Sequence, residues 1–459
     1  YLMHFYINPL LFRNFMKLKG MTYSSKIESA YKDLLKSQFY RSDVLNNLKL
    51  LKLKFIVNIA YYTTHFYRNL YSSLDIHPND INSIDTFSNL PIIRRDDINN
   101  HLKSMISNNI PDCDIHKDAT GGSTGMKTIF VRDNSCLTLK KASEYRFNNF
   151  AGWQPGEKIL FYWPALQDFS PSNKSSSAKL KAYINSRYFH RQLFLKAGFL
   201  NSVILDKHIE SISNFNPALI RAFPNSLQIF AEHCQNKGVS YNIKRGIICV
   251  GESVNRYQRN LFRSIFNCDV FNCYVSRETG NIACECNEHT GLHLADEMLH
   301  FEIINLKKDG FGEVVITDLE NIGMPLVRYS IQDASKWYTG KCPCGRNLPL
   351  IDLSSARIND FLISPVDQSH ISGSTLVHYL LAEGPTIGRF QIIQTDLNSI
   401  TIKVEDKGLI TEDHINYIQS KINKIFKCKM NFSIIITSSI PFLQSGKYQF
   451  VSRQIHEQK

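Results

Sequence analysis

A glycine-rich loop runs into a strand-like segment in the stretch ATGGSTGMKTIFV, residues 119–131. Its three glycines let the backbone approach a ligand closely. The hydroxyls of Thr120, Ser123 and Thr124, with neighbouring N–H groups, form a concave set of donors that suits a polyphosphate. The spacing differs from that of the G-x-x-x-x-G-K-S/T loop, which a helix follows. We interpret this loop as a phosphate-binding element; a plain Gly-Ser linker is the alternative.

Short β-branched or aromatic runs alternate with helical stretches after this loop. Strands alternating with helices indicate an α/β domain. Before the loop, apolar residues recur at helical spacing in the run 45–60, which contains no Gly or Pro, and we predict a helical lead-in over residues 1–110. The strands predicted in the α/β part are 128–131, 158–163, 202–205, 247–250 and 269–274.

The rest of the chain predicts two further pieces of structure. Runs at 299–304 and 312–317, separated by a Lys-Lys-Asp-Gly turn, predict a hairpin and an antiparallel subdomain with mixed sheets. The last hundred residues or so predict a small, mobile α+β domain. We place a large domain at 1–356 and the small domain at 357–459. The small domain's predicted elements are strands 361–363, 390–394, 399–404 and 431–436 and a helix at 412–426.

Composition limits the class of protein. The chain has 459 residues, 43% of them hydrophobic, and is long enough to bury a large core. It contains no run of about 18 uninterrupted apolar residues and no export signal is predicted, so we expect a cytoplasmic protein without a transmembrane segment. The net charge of +12 favours anionic partners, but the lysines are scattered, which indicates a solvated surface rather than a nucleic-acid groove.

Three side chains with useful chemistry lie at or just beyond predicted strands. Glu252 follows the apolar run 247–250, at the end of a strand where open α/β sheets place ligands. Tyr274 and Glu278 lie at the end of the run 269–274 and just after it. A carboxylate there suits Mg²⁺ bound to phosphates, and a tyrosine ring suits stacking on a base. Each segment alone is also compatible with an ordinary loop.

The later part of the chain adds four charged candidates. Asp333 offers a carboxylate to a pair of ribose hydroxyls, and Arg357 is followed by Asp360 at the start of the small domain. Lys447 lies on a Gly-containing turn. A mobile ammonium can neutralise charge that grows where a carboxylate meets a phosphate. By itself Lys447 is an ordinary surface lysine.

Two closely spaced cysteine pairs are candidates for a structural zinc site. Cys284 and Cys286 precede Cys342 and Cys344 in the chain, and four sulfur ligands can close a tetrahedral site. His289 and His293 are nearby substitutes. The alternative is that these are buried thiols, because the chain has eleven cysteines and uses others as core residues. No cysteine lies in a recognisable nucleophile setting.

Taken together, these segments resemble the adenylate-forming superfamily of acyl-CoA synthetases, in particular its phenylacetate-CoA ligase/CapK branch. The segments 60–68 and 90–98 are similar to that branch's approach to the phosphate loop. Residues 359–367 are similar to CapK proteins, which are associated with capsular and other surface polysaccharide clusters. The sequence departs from the usual pattern at Ala356, at 276–277 and at 126–127.

The resemblance implies a role for each candidate residue. Glu278 would help hold Mg²⁺, and Asp333 and Arg357 would bind the ribose. Asp360 would be the hinge between the domains, and Lys447 would be the lysine that the small domain brings in for adenylation. The ATP phosphates would be bound by Thr120, Gly121, Gly122, Ser123, Thr124, Gly125 and Lys127.

The resemblance also implies a reaction. An acid would react with ATP and Mg²⁺ to give acyl-AMP and pyrophosphate, and the acyl group would pass to an acceptor. That acceptor is coenzyme A or an amine; an amine would make the protein an amide-forming ligase joining an amino acid and a sugar acid, on a sugar nucleotide or glycan precursor. A non-catalytic nucleotide-binding scaffold is the alternative. Such a scaffold would not need the charged side chains that the sequence keeps, which are Glu278, Asp333, Arg357 and Lys447.

Overall fold

The structure is a computed structural model that falls into two compact units. It describes residues 25–119, 128–164, 191–254, 256–306, 310–353, 361–372, 376, 390–405, 411–438, 440 and 451–454. The first unit comprises Tyr1–Thr120, Thr128–Pro155 and Phe271–Ser354. The second comprises Gly121–Lys127, Gly156–Val270 and Ser355–Lys459.

The described part of the lead-in, from residue 25 onward, is helical as predicted. In its longest helix Leu45, Ile56 and Ala60 are buried, whereas Leu51 and Phe55 are 65% and 52% exposed. No helix in the described ranges is both long and apolar enough to cross a membrane. The helices of the first unit are α1 (Ser25–Ser37), α2 (Ser42–Thr63), α3 (His65–Ser73), α4 (Ile84–Ser88), α5 (Arg95–Met105) and α6 (Asn134–Phe150).

The first unit also contains the predicted antiparallel subdomain. Its seven-strand order is β11-β12-β13-β14-β10-β9-β8, and each neighbouring pair is antiparallel. The predicted hairpin is confirmed as β11 and β12, and a separate antiparallel pair joins β1 to β2. The strands are β1 (Ile115–Ala119), β2 (Ile129–Asp133), β8 (Val270–Ser276), β9 (Gly280–Glu285), β10 (Leu292–Leu294), β11 (Leu299–Ile304), β12 (Gly312–Asp318), β13 (Tyr329–Trp337) and β14 (Leu350–Leu353).

The second unit contains parallel strands in the order β7-β6-β3-β4. Strand β7 is buried along its whole length, as expected when helices cover a parallel sheet on both faces. Side chains of strands and helices, including Leu160, Ile220, Phe230 and Phe262, form one core. The elements are β3 (Ile159–Trp163), β4 (Gln192–Lys196), β6 (Leu219–Ala222), β7 (Gly246–Val250), α7 (Ser202–Phe215), α8 (Pro224–Asn236) and α9 (Arg256–Phe266).

The strand predicted at 202–205 is wrong, because these residues begin helix α7. The side chain of Asn201 accepts a hydrogen bond from the Ile204 amide at 2.9 Å and caps the helix. Leu205, Ile212 and Phe215 then recur on its buried face. A four-residue apolar run fits either structure, and the capping residue decides between them.

The C-terminal residues form the predicted small α+β arrangement, with a mixed sheet of order β19-β18-β17-β20. Ile392, Ile402 and Ile422 belong to a core of its own. The predicted α/β fold class is therefore confirmed. The boundary at 356–357 lies outside the described residues and stays a prediction. The elements are β5 (Phe199–Leu200), which pairs with β16, β15 (Phe361–Ile363), β16 (His370–Ser372), β17 (Phe390–Asp396), β18 (Ser399–Glu405), α10 (Glu412–Phe426), β19 (Asn431–Thr437) and β20 (Val451–Arg453).

Candidate functional site

The candidate residues divide between described and undescribed parts of the chain. Glu252 lies in the second unit, and Tyr274, Glu278, Asp333 and the four cysteines lie in the first. The glycine-rich loop 120–127, Arg357, Asp360 and Lys447 lie outside the described residues. The roles given to those residues stay predictions.

Tyr274 and Asp333 are brought together in the first unit. The Tyr274 hydroxyl donates a hydrogen bond to Oδ2 of Asp333 at 2.7 Å. In the sheet, β9, β10 and β14 lie between β8, which carries Tyr274, and β13, which carries Asp333. This contact therefore requires the sheet to curl, as closing sheets do. The bond orients the half-buried carboxylate, whose other lone pairs suit a pair of vicinal hydroxyls.

Asp333 lies in a β-bulge of strand β13. Between Glu313 and Val315 of β12, the register jumps from Ala334 to Ser330 on β13. Gln332, within this bulge, has φ 61, a left-handed value for a residue that is not glycine. Bulges of this kind re-aim side chains next to functional sites. The bulge explains how a strand residue turns its carboxylate toward Tyr274.

Glu278 lies in the turn between β8 and β9. It is only 6% exposed, and its Oε1 is 3.7 Å from Nη2 of Arg95. The turn is tied internally, because the Thr279 amide donates to the Ser276 hydroxyl at 3.0 Å. The Arg132 side chain also donates to the carbonyl of Arg277. Glu278 is thus a buried carboxylate on a well-supported turn, with the Arg95 guanidinium beside its side chain and the Lys140 ammonium on its backbone carbonyl.

Arg95 is a partner that the sequence interpretation missed as a site residue. It is 7% exposed at the first position of α5. The preceding Ile93 forms a parallel bridge with Tyr329, and its carbonyl accepts from the Ser330 amide at 2.9 Å. The segment 90–98 therefore docks on the start of β13. The sequence did offer one indication of its role, because Arg95 lies in the segment 90–98, which is similar to the phenylacetate-CoA ligase/CapK branch.

In the second unit, three strand ends form a small group of side chains. Trp163 ends β3, Phe223 follows β6, and Glu252 follows β7, so all lie at carboxyl ends of parallel strands. The rings of Trp163 and Phe223 meet edge to face with centroids 4.9 Å apart. Glu252 Oε2 accepts a hydrogen bond from the Asn225 amide at 3.3 Å. The aromatic pair is a candidate wall for the acyl pocket.

Gly251 should be indispensable to this group. It has φ +79, and a Cβ there would lie 2.4 Å from Cε1 of Phe223. We expect Gly251→Ala to lower the free energy of unfolding by about 2–4 kcal/mol, through backbone strain plus steric overlap. Chemical denaturation measures this loss. Gly238→Ala is the matched control, since Gly238 has φ +67 and nothing within 4 Å of an added Cβ. Equal losses in both variants would contradict the close packing on Phe223.

A buried cluster of thiols and one imidazole lies elsewhere in the first unit. Its members, here called the Cys₃His cluster, are Cys286, His293, Cys342 and Cys344, whose ligand atoms all lie within 4.8 Å of one another. The Cys286 and Cys342 sulfurs are 3.5 Å apart, and Cys344 Sγ is 3.3 Å from His293 Nε2. Burial lowers the pKa of His293 to about 4, so its imidazole is neutral near pH 7. Burial raises the pKa of the Cys344 thiol, but hydrogen bonds from Arg346 outweigh it and lower that pKa overall.

Cys284, which the sequence pattern proposed as a ligand, is not a member of this cluster. It is an interior residue of β9 and lies opposite Cys273 on β8 and His293 on β10. Cys286 instead follows the last residue of β9, where the chain turns. The two cysteines are close in sequence, but only Cys286 belongs to the cluster, and Cys284 is the cross-strand neighbour of its member His293. His293 takes the fourth place.

Comparison with known proteins gives consistent similarities. Residues 362–454 match the CapK C-terminal domain model. Phenylacetate-coenzyme A ligase of Aromatoleum evansii is 22% identical over 386 residues, which cover 79% of this chain and 82% of the relative. The enzyme of the same name from Thermus thermophilus is 20% identical, covering 77% and 80%.

Solved structures agree with the sequence comparisons. The crystal structure of 2-hydroxyisobutyryl-CoA ligase with 2-HIB-AMP and CoA in the thioesterification state matches with a TM-score of 0.59 and 15% identity, over 91% of each chain. The same ligase in its postadenylation state gives a TM-score of 0.58 over 90% of each chain. At this identity the structures establish the shared fold. With the sequence comparisons they confirm the resemblance inferred above.

Proposed function

Since the chain has the adenylate-forming fold and falls in the phenylacetate-CoA ligase/CapK branch, we propose that it joins a carboxylic acid to ATP and then transfers the acyl group. A carboxylate is a poor electrophile, and acyl-AMP gives it a good leaving group. The observation that carries the proposal is the bulge that holds Asp333 against Tyr274. The left-handed backbone of Gln332, next to Asp333, is locally strained, and such strain clusters at functional sites.

The described residues take distinct parts in nucleotide binding. The Asp333 carboxylate accepts hydrogen bonds from the ribose hydroxyls, and the Tyr274 hydroxyl orients this carboxylate. Glu278 is suited to Mg²⁺, which takes one or two protein carboxylates and fills its remaining positions with water and substrate phosphates. When bound, Mg²⁺ neutralises the phosphate charge that would otherwise repel the incoming carboxylate. Arg95 balances the charge of the Glu278 carboxylate within its buried turn.

The undescribed candidates complete the scheme by resemblance. The loop 120–127 binds the phosphates, Arg357 binds the ribose, and Lys447 stabilises charge during adenylation. Rotation about Asp360 then withdraws Lys447 and admits the acceptor. In the second unit, Glu252 supports the nucleotide end, and Trp163 and Phe223 contact the acyl group.

The acceptor is coenzyme A or an amine. The relatives named as coenzyme A ligases favour the thiol. The match to the CapK C-terminal domain favours a role in surface polysaccharide formation, with an amine on a sugar nucleotide or glycan precursor as acceptor. Both routes share the same first half-reaction.

A pyrophosphate-release assay with a panel of carboxylic and sugar acids tests the activity. We expect ATP- and Mg²⁺-dependent release with at least one acid. Coenzyme A and candidate amines are then added, and the conjugate is identified by mass. Nucleotide binding without turnover on any acid would instead favour a non-catalytic scaffold.

Asp333→Asn should weaken ATP binding. The amide keeps the size of the side chain but loses charge-assisted hydrogen bonds, each worth about 1.5–3 kcal/mol, so KM for ATP should rise about 10- to 100-fold. Initial-rate kinetics at saturating acid measure this change. Tyr274→Phe removes only the orienting hydroxyl and should raise KM less. An unchanged KM in Asp333→Asn would remove the ribose assignment.

A further inference from the structure

We propose that the Cys₃His cluster is a structural zinc site with Cys286, His293, Cys342 and Cys344 as its four ligands. The sequence pattern alone pointed to Cys284, whereas the structure places His293 with the other three residues. Three of the ligands are less than 9% exposed, and Cys344 is half-buried. The cluster is separate from the residues proposed to bind ATP.

The spacing of the ligand atoms fits a tetrahedral ion. Zinc binds thiolate sulfur at about 2.3 Å and imidazole nitrogen at about 2.0–2.1 Å, so the edges of a tetrahedron around it are about 3.5–3.8 Å. Two of the six edges are 3.5 Å between Cys286 and Cys342 and 3.3 Å between Cys344 and His293, and all six are within 4.8 Å. A disulfide would bring its sulfurs to about 2.05 Å. The cluster is therefore spaced to surround an ion rather than to form a bond.

The chain presents the cysteine ligands on tight turns, and His293 lies on β10. After β9, the His289 amide donates to the Cys286 carbonyl at 3.0 Å. On the other side, Gly345 has φ +78, and its amide donates to the Cys342 carbonyl at 3.4 Å. Short turns of this kind hold sulfurs together without a helix or strand. They give a second reason, besides distance, to regard the cluster as a ligand set.

The identity of the ion follows from the ligands. Thiolates and imidazole in a tetrahedral arrangement select zinc among common cellular ions. Four protein ligands leave no open position for a substrate, which is the pattern of a structural site. Three thiolates around Zn²⁺ leave one net negative charge. Arg346, next in the chain after Gly345, supplies a nearby positive charge, with its guanidinium 4.3 Å from the Phe150 ring.

The ion would fasten the connection between β13 and β14 to the end of the β9–β10 hairpin. The same connection is tied to the end of α1, because the Asn347 amide donates to the Gln38 carbonyl at 2.9 Å. The Leu294 amide also donates to the Pro349 carbonyl at 2.9 Å. Metal loss should therefore loosen β13, which carries Asp333, and β9, which follows the turn that carries Glu278, although neither residue is a ligand.

Metal analysis and X-ray absorption of the intact protein test the proposal. We expect about one zinc per chain after purification without chelator, with a shell of three sulfurs at about 2.3 Å and one nitrogen at about 2.0 Å. Four sulfurs would restore Cys284 and overturn the ligand set. Clearly substoichiometric metal after growth with added zinc would overturn the site, as would a Cys286–Cys342 disulfide found in the purified protein by mass spectrometry.

Two variants separate this cluster from its neighbour. Cys344→Ser should lose most of the zinc and lower the Tm, whereas Cys284→Ala should keep the full metal content. The reverse result would overturn the assignment. If the Cys344→Ser protein fails to fold, X-ray absorption still tests the proposal, because that experiment uses the unmodified protein. Zinc content is measured without ATP or an acid, so its failure is distinguishable from failure of the ligase activity.

Discussion

Replacing Glu278 with glutamine should lower the rate of acyl-AMP formation by about 10²- to 10³-fold. The first half-reaction brings together two anions, the acid and the triphosphate, and loss of one preorganised charge in such a step costs about this much. Glutamine keeps the size of the buried side chain but cannot supply the negative charge that suits Mg²⁺. ATP–pyrophosphate exchange with an acid identified in the screen measures the rate. A rate within twofold of the parent would remove Glu278 from the mechanism.

Glu278→Gln also weakens the ion pair between Glu278 and Arg95, so a matched control is needed for the loss of a buried ion pair. Glu302 is another carboxylate of the first unit, with its side chain 10% exposed, and it binds Arg328 through two hydrogen bonds of 2.9 and 3.0 Å. Glu302→Gln should reduce stability, because it leaves a buried guanidinium without its partner. It should leave the exchange rate of the folded protein nearly unchanged. If both variants lost the same activity, general destabilisation would explain the effect.

Lys447→Ala should separate the two half-reactions. We expect acyl-AMP formation to fall by about 10²-fold or more, because a positioned ammonium no longer balances the charge at the reacting carboxylate and phosphate. Transfer from synthetic acyl-AMP to the acceptor should stay near the parental rate, since Lys447 has then been withdrawn. Pyrophosphate exchange and single-turnover transfer measure the two steps independently.

Lys427→Ala is the comparison for Lys447. Lys427 belongs to the same C-terminal region, is 69% exposed, and pairs with Asp367 at 3.4 Å. Such an exposed pair contributes little, so both half-reactions should continue at parental rates. Normal adenylation in the Lys447 variant would contradict the role carried over by resemblance. Slowing of both steps would point to a role in the fold instead.

Local pattern was enough to predict most of the fold. Strands such as β3 and β7 are short apolar runs bounded by polar or glycine residues, and both are found where they were expected. The helix α10 was predicted within its observed bounds, because its apolar residues recur every three or four positions. These features depend on neighbours in the sequence. They can therefore be predicted without knowledge of the tertiary structure.

The candidate site was less accessible because its contacts are distant in the chain. Arg95 reaches Glu278 only after the segment 90–98 docks on β13, and Tyr274 reaches Asp333 only after the sheet curls. The Cys₃His cluster contains His293 rather than Cys284, although the two residues are paired across β10 and β9. Spacing along the sequence does not encode any of these three facts.

Under the proposed function, the close packing of Gly251 on Phe223 would link substrate range to turnover. An engineer seeking room for bulkier acids would first shrink Phe223, yet that ring also packs against the glycine that precedes Glu252. A cavity there would let the turn relax and would shift the carboxylate along with it. Broader specificity should therefore come with slower chemistry unless compensating mutations refill the space behind Gly251.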